Sequence, residues 1–131
     1  VRPATYDGIK LGINNDLGVN YYNFLMWHFP PVNWNAVMTG PMALPIIAYA
    51  NGNLATANEY AGYTMWFYDY SGSYKKKWQV RGGQHAVDGV VYFYDSFGSW
   101  LLTNPITSIR LWTDVGFFWQ VGTTWEIFIE G

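Results

Sequence analysis

Apolar side chains in this sequence recur at every second position, in short runs that glycine, proline and asparagine interrupt. The closing stretch shows it best. In Ile106–Thr113, Ile109, Leu111 and Thr113 alternate with Ser108, Arg110 and Trp112; in Thr124–Glu130, Trp125, Ile127 and Ile129 alternate with Glu126, Phe128 and Glu130. Successive side chains of a strand point to opposite faces, so this period is that of half-buried antiparallel strands. Asp114–Gly116 and Val121–Gly122 supply the turn residues between the two. No long stretch repeats at the helical period of about 3.6 residues.

The rest of the chain reads the same way. Asp7-Gly8 signals a turn before a strand carrying Ile9, Leu11 and Ile13. Asn14–Gly18 is a polar turn, and Val19–Phe29 is an aromatic strand that Pro30-Pro31 ends. Val32–Tyr49 is broken by Gly40, Pro41 and Pro45, with Ala43–Ala50 either a short strand or one helical turn. Asn51–Gly62 reads as a loop with a helical turn near Leu54–Tyr60. Tyr63–Tyr70 is a strand with Tyr63, Met65 and Phe67 on one face and Thr64, Trp66 and Tyr68 on the other, as if covered twice. Ser71-Gly72-Ser73 turns into Tyr74–Arg81; Gly82–His85 is a loop, Val87–Asp95 a strand, and Ser96–Ser99 a turn into Trp100–Thr103. About seven to nine short strands so punctuated predict an all-β fold, an antiparallel β-sandwich of jelly-roll type with at most a short helical turn. The 131 residues form one domain. Val1 opens it without an initiator Met or a leader-like apolar run, so a fragment or tip domain of a longer chain is expected.

Composition excludes several classes. Without cysteine, neither a disulfide scaffold nor a thiolate zinc site is available. A net charge of −2 with 12% charged residues does not suit a nucleic-acid partner, which needs clustered Lys and Arg. No apolar run reaches the roughly 18–20 residues of a membrane-spanning helix. The aromatic share is 21%, with eight Trp and eleven Tyr. One small core cannot hide so many rings, so some are expected at subunit contacts or around a ligand.

Chemistry-bearing groups are sparse. His28 and His85 are far apart in sequence, no GxSxG elbow is present, and no metal or cofactor is expected. Asp69 and Asp95, each at a strand end, are the pair a glycan-cleaving enzyme would use if about 5–10 Å apart. Lys75–Lys77 reads as a solvated strand face. Sugar rings stack on indole and phenol, with Asn or Asp binding hydroxyls. On that chemistry Trp34 and Asn35, in a proline-flanked loop, and Asp95 and Trp100, around the next loop, are the carbohydrate-binding candidates. Phe117, Phe118 and Trp119 are the candidates for a subunit interface.

Two pieces carry a resemblance. VRPATYDGIKLGINND at the front and ITSIRLWTDVGFFWQVGTTWEIFIEG at the back resemble, in order and spacing, a module common in bacteriophage virion and tail proteins. That module carries RPAT followed by alternating leucines, then IT-x-IRL, a loop with G-x-F, GT and a final apolar strand. Here the last strand ends Ile127-Phe128-Ile129-Glu130-Gly131 instead of tyrosine-glycine, and Val32–Asn58 has no counterpart. The resemblance implies a non-enzymatic virion-surface or tail-fibre structural protein, extracellular, meeting copies of itself (a homo-oligomer such as a trimer), other virion proteins and a host-surface glycan. The alternatives are a free-standing lectin or carbohydrate-binding module and, further off, the glycan-cleaving enzyme.

Overall fold

The structure is a computed structural model that describes residues 6–28, 35–51, 61–85, 91–114 and Thr124. Its strands are β1 (Tyr6–Ile13), β2 (Tyr21–His28), β3 (Asn35–Met42), β4 (Ile46–Asn51), β5 (Ala61–Tyr68), β6 (Lys76–His85), β7 (Val91–Trp100) and β8 (Ile109–Thr113). Among the described residues there is no helix. The strands form two antiparallel sheets, β4-β1-β8 and β3-β2-β7-β6-β5. The sheets pack face to face, giving the all-β antiparallel sandwich that the alternation predicts.

The core lies between them. Ile9, Leu11 and Ile13 point inward from β1 and, with Ile47 and Ala48 of β4, meet Tyr21, Trp78, Val80 and Trp100 of the larger sheet. Burying such side chains contributes about 1.5–3 kcal/mol each. A polar link also crosses the layers: Ser96 Oγ donates to Asn23 Oδ1 at 2.8 Å, and Asn23 Nδ2 donates to the Ile46 carbonyl at 2.7 Å. Gly98 is what lets Trp78 into this core. A Cβ there would lie 2.0 Å from the indole, so only glycine allows the ring to rest on β7.

The turn between β1 and β2 ties distant segments together. Asn14 and Asn15 both have positive φ, which asparagine tolerates well. Asn14 donates to the Pro105 carbonyl at 2.7 Å, and its Oδ1 accepts from the backbone N–H groups of Thr107 and Ser108. Asp16 accepts from Gly18 N–H, the Asn20 amide and the indole N–H of Trp100. Burial pushes the Asp16 carboxyl up, but these three donors outweigh it and hold its pKa below the ordinary carboxylate value.

Four sequence expectations are corrected. Ser96–Ser99 is no turn: β7 runs unbroken from Val91 to Trp100, laddered on both sides by β2 and β6. Gly82–His85 is not a loop but the end of β6. Asp7-Gly8 lies within β1, paired with Ala50 and Tyr49. In each case ladder pairing overrides local turn preference. Lys76, expected to be solvated, is 0% exposed, with Nζ donating to the carbonyls of Gly72, Tyr74 and Thr103. Its flanking residues Lys75 and Lys77 are exposed as expected. Val32–Tyr49, hard to read in sequence, supplies β3 and the start of β4. The helical turn near Leu54–Tyr60 and the closing strand after Thr124 lie outside the described residues.

Candidate functional site

The outer face of the five-stranded sheet is built by the strand phase that does not reach the core. In β5 that phase is Thr64, Trp66 and Tyr68, as the sequence alternation predicts; all three are exposed and the facing set is half-buried. Following the cross-strand register outward gives a straight row over all five strands: Met38, Phe24, Phe97, Gln79 and Trp66. Met38 is 76% exposed, Trp66 43% and Phe97 41%. The next row holds Ala36, Met26, Asp95, Arg81 and Thr64. A third, on the other side, holds Tyr22, Ser99, Lys77 and Tyr68. Exposed apolar side chains gathered on one face make this sheet face the candidate site.

The face has two halves of different chemistry. The β3–β2 half, with Met38, Ala36, Phe24, Met26 and Tyr22, places no ionised side chain in these rows. On the β7–β6–β5 half, Arg81 donates from Nε and Nη2 to Asp95 Oδ2 at 3.1 and 2.7 Å. Gln79 Nε2 donates to Asp95 Oδ1 at 3.4 Å and the Tyr68 hydroxyl donates to Gln79 Oε1 at 3.2 Å. Four polar side chains are thereby linked around the Trp66–Gln79–Phe97 row, which reduces the rotamer freedom left to lose on binding.

Of the carbohydrate candidates drawn from sequence, the described ones, Asn35, Asp95 and Trp100, do not converge. Asp95 is on this outer face. Trp100 belongs to the opposite phase, is 1% exposed, and gives its indole N–H to Asp16, so it is a core residue with no ring face for a ligand. Asn35 opens β3 opposite Trp27, which in turn faces Tyr94, again the inward phase. Trp34 lies outside the described residues, as do Phe117, Phe118 and Trp119.

The aspartate pair is not assembled either. Asp95 is level with Thr64 of β5, whereas Asp69 follows the end of that strand, five residues on and two strands away. That is on the order of 17 Å along the strand alone, beyond glycosidase reach. His28 and His85 share the outer face on β2 and β6, but among the described residues no group of three or more His, Cys, Asp or Glu could hold a metal.

On the other sheet, Trp112 lies against Gly12 with the Arg110 guanidinium 5.2 Å from its ring centre. They border a depression of about 220 Å³ with Asn15, Asp16 and Leu17. The Asp16 carboxylate there is already committed to the turn.

Sequence reasoning missed Phe97, Gln79, Phe24 and Met38. The alternation in Tyr63–Tyr70 did set Trp66 on the face opposite Tyr63, Met65 and Phe67, though with both faces expected to be covered; Phe97 sat in an apparent turn and Met38 in the stretch without a clear period. No protein-family model, curated protein or solved structure matches this chain.

Proposed function

We propose that this chain is a non-enzymatic structural module of a virion surface or tail fibre, working outside the cell by contact and assembling with its own copies through the β3–β2 half of the outer sheet face. The observation that carries the reading is the apolar row beginning at exposed Met38 on β3, the edge of the sheet among the described strands, and continuing to half-buried Phe24 without a charge. Covering side chains of this size contributes about 1.5–3 kcal/mol apiece, so a few of them offset much of the entropy of association. A homo-oligomer, with a trimer as the first arrangement to look for, fits a particle protein whose copies repeat around a fibre. The two-ended likeness to phage virion modules supports the same setting.

Light scattering after size exclusion tests it. The wild-type chain is expected above monomer mass, and Met38→Lys is expected to fall towards the monomer. A strictly monomeric wild type would overturn the assembly role. A second reading, a free-standing lectin, draws on the polar and aromatic half of the same face: a monomer that binds glycan would be that protein.

A further inference from the structure

We infer that the β7–β6–β5 half of the outer face is a binding platform for an extended, unbranched, neutral β-linked glycan, lying across the strands along Phe97, Gln79 and Trp66. The inference rests on the outer face being a working surface and is independent of self-assembly.

Spacing is the first reason. Phe97 and Trp66 sit in one cross-strand row with β6 between them. Two strand spacings come to about 10 Å. This matches the disaccharide repeat of an extended β-linked chain, in which every second sugar presents the same C–H face. Two such faces can rest on the phenyl and the indole at once.

The second reason is what stands between and beside the rings. Gln79 lies between them and offers its carboxamide to the intervening sugar. In the adjoining row, the exposed Arg81 guanidinium, anchored on the largely buried Asp95, presents its remaining donors to hydroxyls flanking the chain. The network among Tyr68, Gln79, Asp95 and Arg81 fixes these groups before any ligand arrives.

Charge is the third. Arg81 and Asp95 neutralise one another, so the row beside the rings offers no net charge to a charged polymer; a further exposed cation of this half, Lys77, stands in the row on the other side. A protein partner would have to bury that ion pair and Gln79 against apolar side chains, which is costly. Sugar hydroxyls can satisfy them. The neighbouring β3–β2 half lacks such groups and is not part of the platform.

The test uses the intact 131-residue chain. Retention on insoluble cellulose and chitin is measured, with starch as the α-linked contrast, and affinity for their soluble oligosaccharides is read from tryptophan fluorescence and calorimetry. Binding to at least one β-linked probe and not to starch is expected. Trp66→Ala and Phe97→Ala should each weaken it about tenfold, the loss of roughly one stacked ring. Trp66→Tyr should keep most of the affinity, which separates a lost ring from a lost fold, and Met38→Lys should leave the affinity for soluble oligosaccharides unchanged, whatever its oligomeric state does to retention on the insoluble polymers. No retention on either β-linked probe overturns the platform, as does wild-type binding by both alanine variants. Sedimentation of the same samples keeps the two readings apart. A chain that self-associates but binds no glycan leaves the assembly module standing and removes the platform. If Trp66→Ala and Phe97→Ala alter sedimentation and not glycan retention, the occupant is protein and the glycan platform is overturned.

Discussion

The indole N–H of Trp100 reaches back across 84 residues to donate to Asp16 Oδ2 at 2.7 Å, fastening the end of β7 to the turn between β1 and β2. One sheet ends and the other begins at this bond, since β1 belongs to the small sheet and β2 and β7 to the large one. It also decides what Trp100 is for. A tryptophan that sequence offers as a ligand platform is spent on joining the two layers.

The carboxylate of Asp16 is therefore expected to matter for stability. Asp16→Ala removes the acceptor for Trp100, Gly18 and Asn20, and should cost on the order of 2 kcal/mol, as hydrogen bonds to charged groups do. Urea denaturation followed by tryptophan fluorescence measures it. The pH dependence has a definite sign. A carboxyl whose folded pKa lies below its unfolded value of 3.8 stabilises the fold above that value, and the contribution is lost as pH falls through the folded pKa. Asp16→Asn should remove this acid-side slope.

Lys76 separates three adjacent lysines by environment. Lys76→Ala leaves a cavity and strips the Gly72, Tyr74 and Thr103 carbonyls of their shared donor, so a loss of about 3 kcal/mol is expected. Lys75→Ala and Lys77→Ala, at exposed positions, should stay within about 0.5 kcal/mol of wild type. Equal effects at all three would contradict the placement. Chemical denaturation of the three variants side by side decides it.

The polar link through the core gives a third expectation. Asn23→Leu keeps the branched heavy-atom shape but leaves Ser96 Oγ and the Ile46 carbonyl without their partner. Orphaned buried groups cost about 1–3 kcal/mol each, so Asn23→Leu should destabilise more than Ser96→Ala does. Thermal unfolding of both variants measures the difference.

These residues also show what sequence can and cannot convey here. Alternation in Tyr63–Tyr70 and in Ile109–Thr113 assigned strands and faces correctly, because period two is a local property. Gly98 and Gly82-Gly83 read as loop signals, yet they serve to bring Trp78 and neighbouring strands close, a role set by partners far along the chain. Lys76 looked like its neighbours because nothing local announces that the Gly72–Tyr74 turn and Thr103 will enclose it. The outer-face row was illegible for the same reason. Met38, Phe24, Phe97 and Trp66 come from four strands, and only the register lines them up.

Gly98→Ala tests that register from within. A methyl group there would meet the Trp78 ring, and the resulting overpacking should cost about 1–3 kcal/mol, with a change in tryptophan emission. A neutral outcome would mean that Trp78 does not rest on β7.

The proposed assembly role rests on the β3–β2 half of the outer face of the five-stranded sheet serving as a contact between copies of the chain. Sedimentation velocity across a concentration series, on wild type and Met38→Lys together, addresses it most directly. The wild-type sedimentation coefficient is expected to rise with concentration above the monomer value, and the Met38→Lys protein to shift back towards the monomer. A wild type that sediments as a monomer throughout, indistinguishable from Met38→Lys, would contradict the assembly role.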